Sequence, residues 1–272
     1  MTNEFPQALT IAGSDSDGSA GIEADLRSFF QCHVYGLVIQ TTAVAGNSYG
    51  VFDRCSLPND FIRSEFTNLA SDFKIRAAKT GMLPDSQMIS LVAEEYQKTD
   101  FGPLVVDPVI VSKHGAILMD EPGVNTLREK LLPLSTVITP NFKEAQALTE
   151  LQIKDDQLIK QAAKKMQSWG AKNVMIKGAH NFESEQKSVR DFVLLADGST
   201  FWLENDYVDT KRINGTGDTL SAIITAELAK GKNVKDAIII ANKNTYRALK
   251  QPINVGHQYG PINHWQIKED LN

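Results

Sequence analysis

Apolar positions along this chain fall into two alternating rhythms. Short continuous apolar runs occupy residues 9–12, 37–45, 75–79, 104–111, 136–139 and 173–177, and each predicts a strand. Between them, apolar residues return every three or four positions. Ile22, Leu26, Phe29 and Phe30 mark one helix face, and 89–96 and 124–132 predict two further helices. Pro140 stops a strand before another helix, and Leu158, Ala162, Met166 and Trp169 line the core side of a lysine-covered one. The run 104–111 is strongly β-branched, as suits a strand covered on both faces. Residues 188–196 and 200–204, joined by Asp197-Gly198, predict a β-hairpin. Leu220, Ile224 and Leu228 place a helix over 218–230 closed by Gly231, and a last helix follows over 234–249. Alternation of this kind implies an α/β fold: a doubly wound, mainly parallel sheet with helices on both faces, in three layers. No repeat, low-complexity tract or linker interrupts it, so 1–272 reads as a single domain. The Pro/Gly-rich tail 251–272 receives no assignment.

The most pointed chemistry lies in Asn214-Gly215-Thr216-Gly217-Asp218. Unpaired N–H groups at a helix start, with the positive end of the macrodipole, attract anions, and glycines let the backbone come close. Asp218 is expected to stay ionised there, able to take a proton from a hydroxyl that attacks a phosphate. Taken alone, the same residues are equally a helix cap and a tight turn. Leu220 stands where a dinucleotide fingerprint needs a third glycine, and the chain contains no G-x-x-x-x-G-K-[ST].

Open parallel sheets bind ligands beyond the carboxyl ends of their strands. Asp15, Asp17, Asn47, Lys79, Asp107, Asn141, Glu144 and Lys177 all fall at such ends. Each is singly more often a loop residue or cap; the shared placement is what counts. The 272-residue chain is 42% hydrophobic with a formal charge of −5, and lacks a basic block, so it does not read as a nucleic-acid binder. Cys32 and Cys55 lack metal-ligand spacing and are expected as small buried side chains in a reducing compartment. With no signal-peptide pattern and no apolar run of spanning length, the expected location is cytoplasmic, with no membrane partner. Gly46-Asn47-Ser48-Tyr49-Gly50 matches the G-x-S-x-G nucleophile elbow, but the following residues lack the helical period that motif requires.

Several motifs in order resemble the hydroxymethylpyrimidine kinase and pyridoxal kinase branch of the ribokinase-like superfamily. They are residues 9–15 with 18–26, Lys79-Thr80-Gly81-Met82-Leu83, Val106-Asp107-Pro108-Val109, Thr139-Pro140-Asn141 with Glu144-Ala145, Ile176-Lys177-Gly178, Gly215-Thr216-Gly217-Asp218, and the tail 257–264. The resemblance spans essentially the whole chain. It implies an ATP-dependent kinase with Asp218 as catalytic base and the backbone of Gly215, Thr216 and Gly217 facing the γ-phosphoryl oxygens. It implies Asn141, Glu144, Lys177 and Thr210 at the nucleotide, and Glu144 with Asp107 holding Mg2+ through water. It places Gly13, Asp15, Val44 and Gly46 in the acceptor pocket and Lys113 in a flap, and it implies a homodimer. Many hydroxymethylpyrimidine kinases and bifunctional pyridoxal kinases of the branch carry Cys at the position of Asp218, and the pyrimidine kinases carry Gln at that of Gly46. Both departures favour pyridoxal, pyridoxine or pyridoxamine over hydroxymethylpyrimidine. A rival from another class is a vitamin- or nucleotide-binding regulator without catalysis, against which the retained base argues.

Overall fold

The computed structural model describes residues 4–110, 118–180 and 188–268. Among these, the strands are β1 (Gln7–Asp15), β2 (Tyr35–Asn47), β3 (Gly50–Ser56), β4 (Ala77–Thr80), β5 (Leu104–Val106), β6 (Ser135–Ile138), β7 (Asn173–His180), β8 (Ser188–Leu194) and β9 (Thr200–Asp206). They form one sheet in the order β3-β2-β1-β4-β5-β6-β7-β8-β9. The pairs from β2 to β7 are parallel, and β3, β8 and β9 extend the two ends antiparallel. The helices are α1 (Gly21–Gln31), α2 (Asn59–Asp72), α3 (Ser86–Tyr96), α4 (Glu121–Thr126), α5 (Phe142–Thr149), α6 (Asp156–Ser168), α7 (Thr216–Ala229) and α8 (Val234–Lys250).

The central strands feed both faces, as a pleat of period two requires. Leu104 and Val106 join the core under α2 to α6, while Val105 between them joins the core under α1, α7 and α8. Helix α7 is buried along its whole length from Thr219 to Ala229, which explains a sequence that is apolar nearly all round. It packs on α1, α8 and the central strands, so its first turn is set by the middle of the molecule. The chain leaves β1 toward β2 on one side and returns to β4 on the other, so the crevice of the doubly wound sheet opens at their carboxyl ends.

Several boundaries differ from expectation. The strand predicted over 104–111 ends at Val106, because Pro108 has no N–H for a ladder. Helix α7 starts two residues before Asp218, at Thr216. The helix predicted over 124–132 starts earlier, at Glu121, then widens into a π turn over Leu127–Leu131 and tightens at Leu132–Leu134. Strand β3 and helix α2 were not foreseen. Every residue of β3 is exposed, so it carries no alternation, and α2 buries only Ile62 and Phe66. Cys32 is buried as expected, whereas Cys55 lies on β3 and is exposed. Among the described residues, no helix is long and apolar enough to cross a membrane.

Candidate active site

The site is built on a buried charge pair. Lys79 near the end of β4 places its Nζ 2.6 Å from Asp25 Oδ1, and neither side chain has any exposure. Thr10 on β1 donates its hydroxyl to Asp25 Oδ2 at 2.6 Å. This triad ties α1 to two central strands directly below their carboxyl ends.

A second pair forms one strand along. Asp107, just beyond β5, accepts Lys177 Nζ at 2.9 Å and the Thr139 hydroxyl at 3.0 Å, both on Oδ1. Lys177 is aimed there by a break in the β7–β8 ladder between Ile176 and Ala179, where Gly178 takes φ +70°. Asp191 on β8 secures that bulge by accepting the Gly178 N–H at 2.8 Å. Asn141 and Glu144 form a capping box on α5: Asn141 Oδ1 accepts the Glu144 N–H at 2.9 Å, and Glu144 Oε2 accepts the Asn141 N–H at 2.7 Å. Glu144 Oε1 also takes the Ile110 N–H at 3.3 Å, so both oxygens of this buried carboxyl have backbone partners. The cap explains these two residues structurally, and it does not remove them from the crevice.

The first turn of α7 closes over the second pair. A Cβ on Gly217 would stand 3.3 Å from Asp107 Oδ2 and 3.4 Å from Lys177 Nζ. Gly215 adopts φ +77° as the N-cap, and a Cβ there would meet the Ser19 carbonyl at 2.3 Å. The Thr216 N–H already makes a 3.3 Å turn bond to Ile213 O, so it is less open than an orphan helix-start donor. Replacing Gly215 with Ala is expected to cost about 2 kcal/mol from left-handed strain alone, more with the clash, and to lower turnover by displacing the loop. Urea denaturation and steady-state rates check this; unchanged values would show that the loop tolerates a Cβ.

Electrostatics bear on the charge of these groups. Burial pushes the Asp218 carboxyl above the ordinary range, opposed by Lys79 and Lys177 and reinforced by Asp107. The backbone N–H of Asp218 at the helix start opposes that push together with the two lysines. Burial alone would lift Asp107 as well, but Lys177 and Lys79 hold it below its usual value. Burial would weaken Lys177 as a cation, and Asp107 and Glu144 reverse that. Glu144 is pushed up to about 7, chiefly by burial.

On the acceptor side, Asp15 and Val44 are paired across β1 and β2. The Asp15 carboxylate accepts the Ala20 N–H at 3.1 Å and the Ser19 hydroxyl at 3.2 Å; burial and neighbouring Asp17 push it up to about 6. Gly13 faces Met82, whose Cε would lie 2.8 Å from an added Cβ. Gly46 exchanges bonds with the Ser16 hydroxyl, at 2.9 and 3.0 Å, and a Cβ there would stand 2.8 Å from Gly50 O. The hairpin thus excludes a side chain at 46, a structural reason for this glycine beside any role in selectivity. The same hairpin disposes of the nucleophile elbow, since Ser48 sits between two antiparallel strands and not in a strand-turn-helix.

The structure thus brings Asp107, Lys177 and Gly217 together and gathers Gly13, Asp15, Val44 and Gly46 at the neighbouring strand ends. Thr210 accepts the Arg212 N–H at 3.0 Å within its own loop. Lys113 lies outside the described residues. Sequence reasoning gave no role to Asp25, although a carboxylate on the stripe of Ile22 and Phe29 signals a buried partner.

A family model described as phosphomethylpyrimidine kinase matches residues 15–263. A hydroxymethylpyrimidine/phosphomethylpyrimidine kinase of Haemophilus influenzae is 46% identical over 259 residues, covering 95% of this chain and 96% of the relative. The structure of a Bacillus subtilis pyridoxal kinase in complex with ADP superposes with a TM-score of 0.89 at 36% identity, covering 99% of this chain and 100% of that one. A Staphylococcus aureus pyridoxal kinase in complex with pyridoxal gives 0.86 at 31% identity, over 96% and 94%. With the fold and the strand-end constellation already described, this chain belongs to the phosphomethylpyrimidine kinase family, a kinase of the pyridoxal kinase and hydroxymethylpyrimidine kinase branch of the ribokinase-like superfamily.

Proposed function

We propose that the chain transfers the γ-phosphoryl group of ATP to the 5′-hydroxymethyl of pyridoxal, pyridoxine or pyridoxamine. The observation that carries this reading is the approach of the Gly217 backbone to the Asp107–Lys177 pair, one residue before a carboxylate raised by burial. Asp218 takes the hydroxyl proton as the oxygen attacks phosphorus; the O–P bond forms, the bond to the β-phosphate oxygen breaks, and ADP leaves. In a loose transition state the charge sits on the transferred oxygens, so the dipoles of 215–217 and the Lys177 ammonium act with little reorganisation. The ADP- and pyridoxal-bound relatives support ATP and a vitamin as the two substrates.

Among the described residues, no cluster of three or more His, Cys, Asp or Glu is grouped to hold a metal. Asp107 keeps Oδ2 outside its bonds to Lys177 and Thr139, and buried Glu144 lies nearby in charge range. This donor set fits a hydrated Mg2+ held through waters and nucleotide phosphates rather than a protein cage. Such an ion would neutralise phosphate charge, with Asp107 and Glu144 as its anchors. A homodimer and a single domain complete the reading.

A second reading, hydroxymethylpyrimidine as acceptor, is favoured by the name of the 46% identical relative. Parallel ATP-coupled assays with both vitamins separate the two. Faster turnover of pyridoxal is expected; faster turnover of the pyrimidine assigns the second reading. Tight pyridoxal binding with no phosphorylated product at saturating ATP and Mg2+ would leave only a regulator.

A further inference from the structure

Residues 255–264 touch three parts of the site at once. At one end the Tyr259 N–H donates to Ser48 O at 2.9 Å and the His257 N–H to Ser48 Oγ at 3.0 Å, which fastens the tail to the β2–β3 turn beside Gly46. In the middle, the Arg212 guanidinium donates to the carbonyls of Val255 at 2.7 Å, Gly256 at 3.1 Å and Tyr259 at 3.2 Å. At the other end Asn214 donates its N–H to Gly260 O at 3.0 Å and accepts the Ile262 N–H at 3.1 Å. His264 Nε2 then meets the Thr219 hydroxyl at 2.9 Å in a buried contact.

Asn214 immediately precedes Gly215, and Thr219 immediately follows Asp218. The tail therefore brackets the loop and its carboxylate on both sides. The acceptor end is joined to the same network, because Asn214 Nδ2 donates to Ser19 Oγ, which in turn donates to Asp15 Oδ2, each at 3.2 Å. A cleft of about 300 Å3 opens between Asp17, Ser19, the β2–β3 turn and residues 255–261. The Tyr49 and His257 rings stack across it with centroids 6.4 Å apart. A tail that only covered apolar surface would need Ile262 and Ile267, both buried, and nothing at Ser48 or Arg212. A planar guanidinium fixed on three carbonyls imposes a defined curve on the segment that carries them.

We propose that Arg212 and residues 255–264 form a positioning clasp that keeps the phosphoryl-transfer loop in register with the acceptor cleft; this rests on the kinase reading above. Its defining consequence is selective. Breaking it should disturb the alignment of hydroxyl and phosphorus while leaving the nucleotide at Lys177 and Asn141 in place.

The test is steady-state kinetics of Arg212→Met, Arg212→Lys and Ser48→Ala on the full chain, with pyridoxal and hydroxymethylpyrimidine as acceptors. Misalignment on the order of 1 Å costs about 10- to 100-fold, and Arg212→Met should lose that much in kcat/KM for the acceptor, with KM for ATP nearly unchanged. Arg212→Lys should recover part of the loss, and Ser48→Ala should raise the acceptor KM several-fold. A folded Arg212→Met with wild-type acceptor kinetics overturns the clasp, and so does a parallel rise in both KM values, which marks general loosening. If Arg212→Met does not fold, Ser48→Ala decides, and an unchanged acceptor KM overturns the proposal. A wild-type chain that phosphorylates neither vitamin removes the kinase reading first and the clasp with it, an outcome distinct from an active wild type with indifferent variants.

Discussion

Asp218→Asn should lower kcat by about 10^3-fold, within the range that a positioned general base contributes, while ADP and ATP affinities stay near wild type. Asparagine keeps the shape and the helix-start hydrogen bonding but cannot accept the hydroxyl proton. The wild-type pH profile offers a second readout. Burial raises the Asp218 carboxyl, so the acidic limb of kcat should lie above the ordinary aspartate range, with activity growing as pH rises and the group deprotonates. The variant should lose that limb. Stability should move the opposite way. A carboxyl whose folded pKa is raised contributes stability that is complete below its unfolded pKa and lost as pH climbs through the folded one. Removing the charge should therefore make Asp218→Asn more stable than wild type at neutral pH, and the gap should close in acid. Calorimetry at both pH values checks the sign. A variant that retains most of its turnover would take Asp218 out of the chemistry.

Lys79→Met should cost about 3–5 kcal/mol of folding stability, because it removes the cationic partner of a fully buried carboxyl that burial already pushes up to about 7. Neither side chain of that pair has any exposure, so water cannot replace the lost ammonium. The hydroxyl of Thr10 remains on Asp25 Oδ2, and one neutral donor does not offset a buried carboxylate. The double variant Lys79→Met with Asp25→Leu should regain much of the loss, since a hydrophobic pair of similar volume avoids desolvating either charge. Urea midpoints for the two single variants and the double variant measure the coupling. An unaltered midpoint in Lys79→Met would mean that the pair contributes nothing. Lys79 also opposes the upward push on Asp218, so in any folded Lys79→Met the acidic limb of kcat should move to higher pH.

Much of the architecture was legible because burial leaves a period in the sequence. The central strands, α6 and α8 each show one, and the hairpin of β8 and β9 is announced by Asp197-Gly198. Strand β3 was not legible because a fully exposed edge strand bears no inside and outside. Cys55 was misplaced with it. For the site, sequence could rank residues by their position at strand ends, and it could not tell which of them meet. Asp107 and Lys177 are 70 residues apart and join across β5, β6 and β7.

The order of the central strands and most helices, the glycine-bearing start of α7 and the family resemblance were fixed by local chemistry: hydrophobic spacing, turn residues and a carboxylate beside glycines. Three things were decided only by tertiary structure. The Lys79–Asp25 pair requires α1 to lie across β4; the raised carboxyl of Asp218 follows from burial, with two lysines opposing it; the tail finds its role through Arg212 and Ser48. Each depends on distances between residues far apart in the chain, and a local pattern carries no record of those distances.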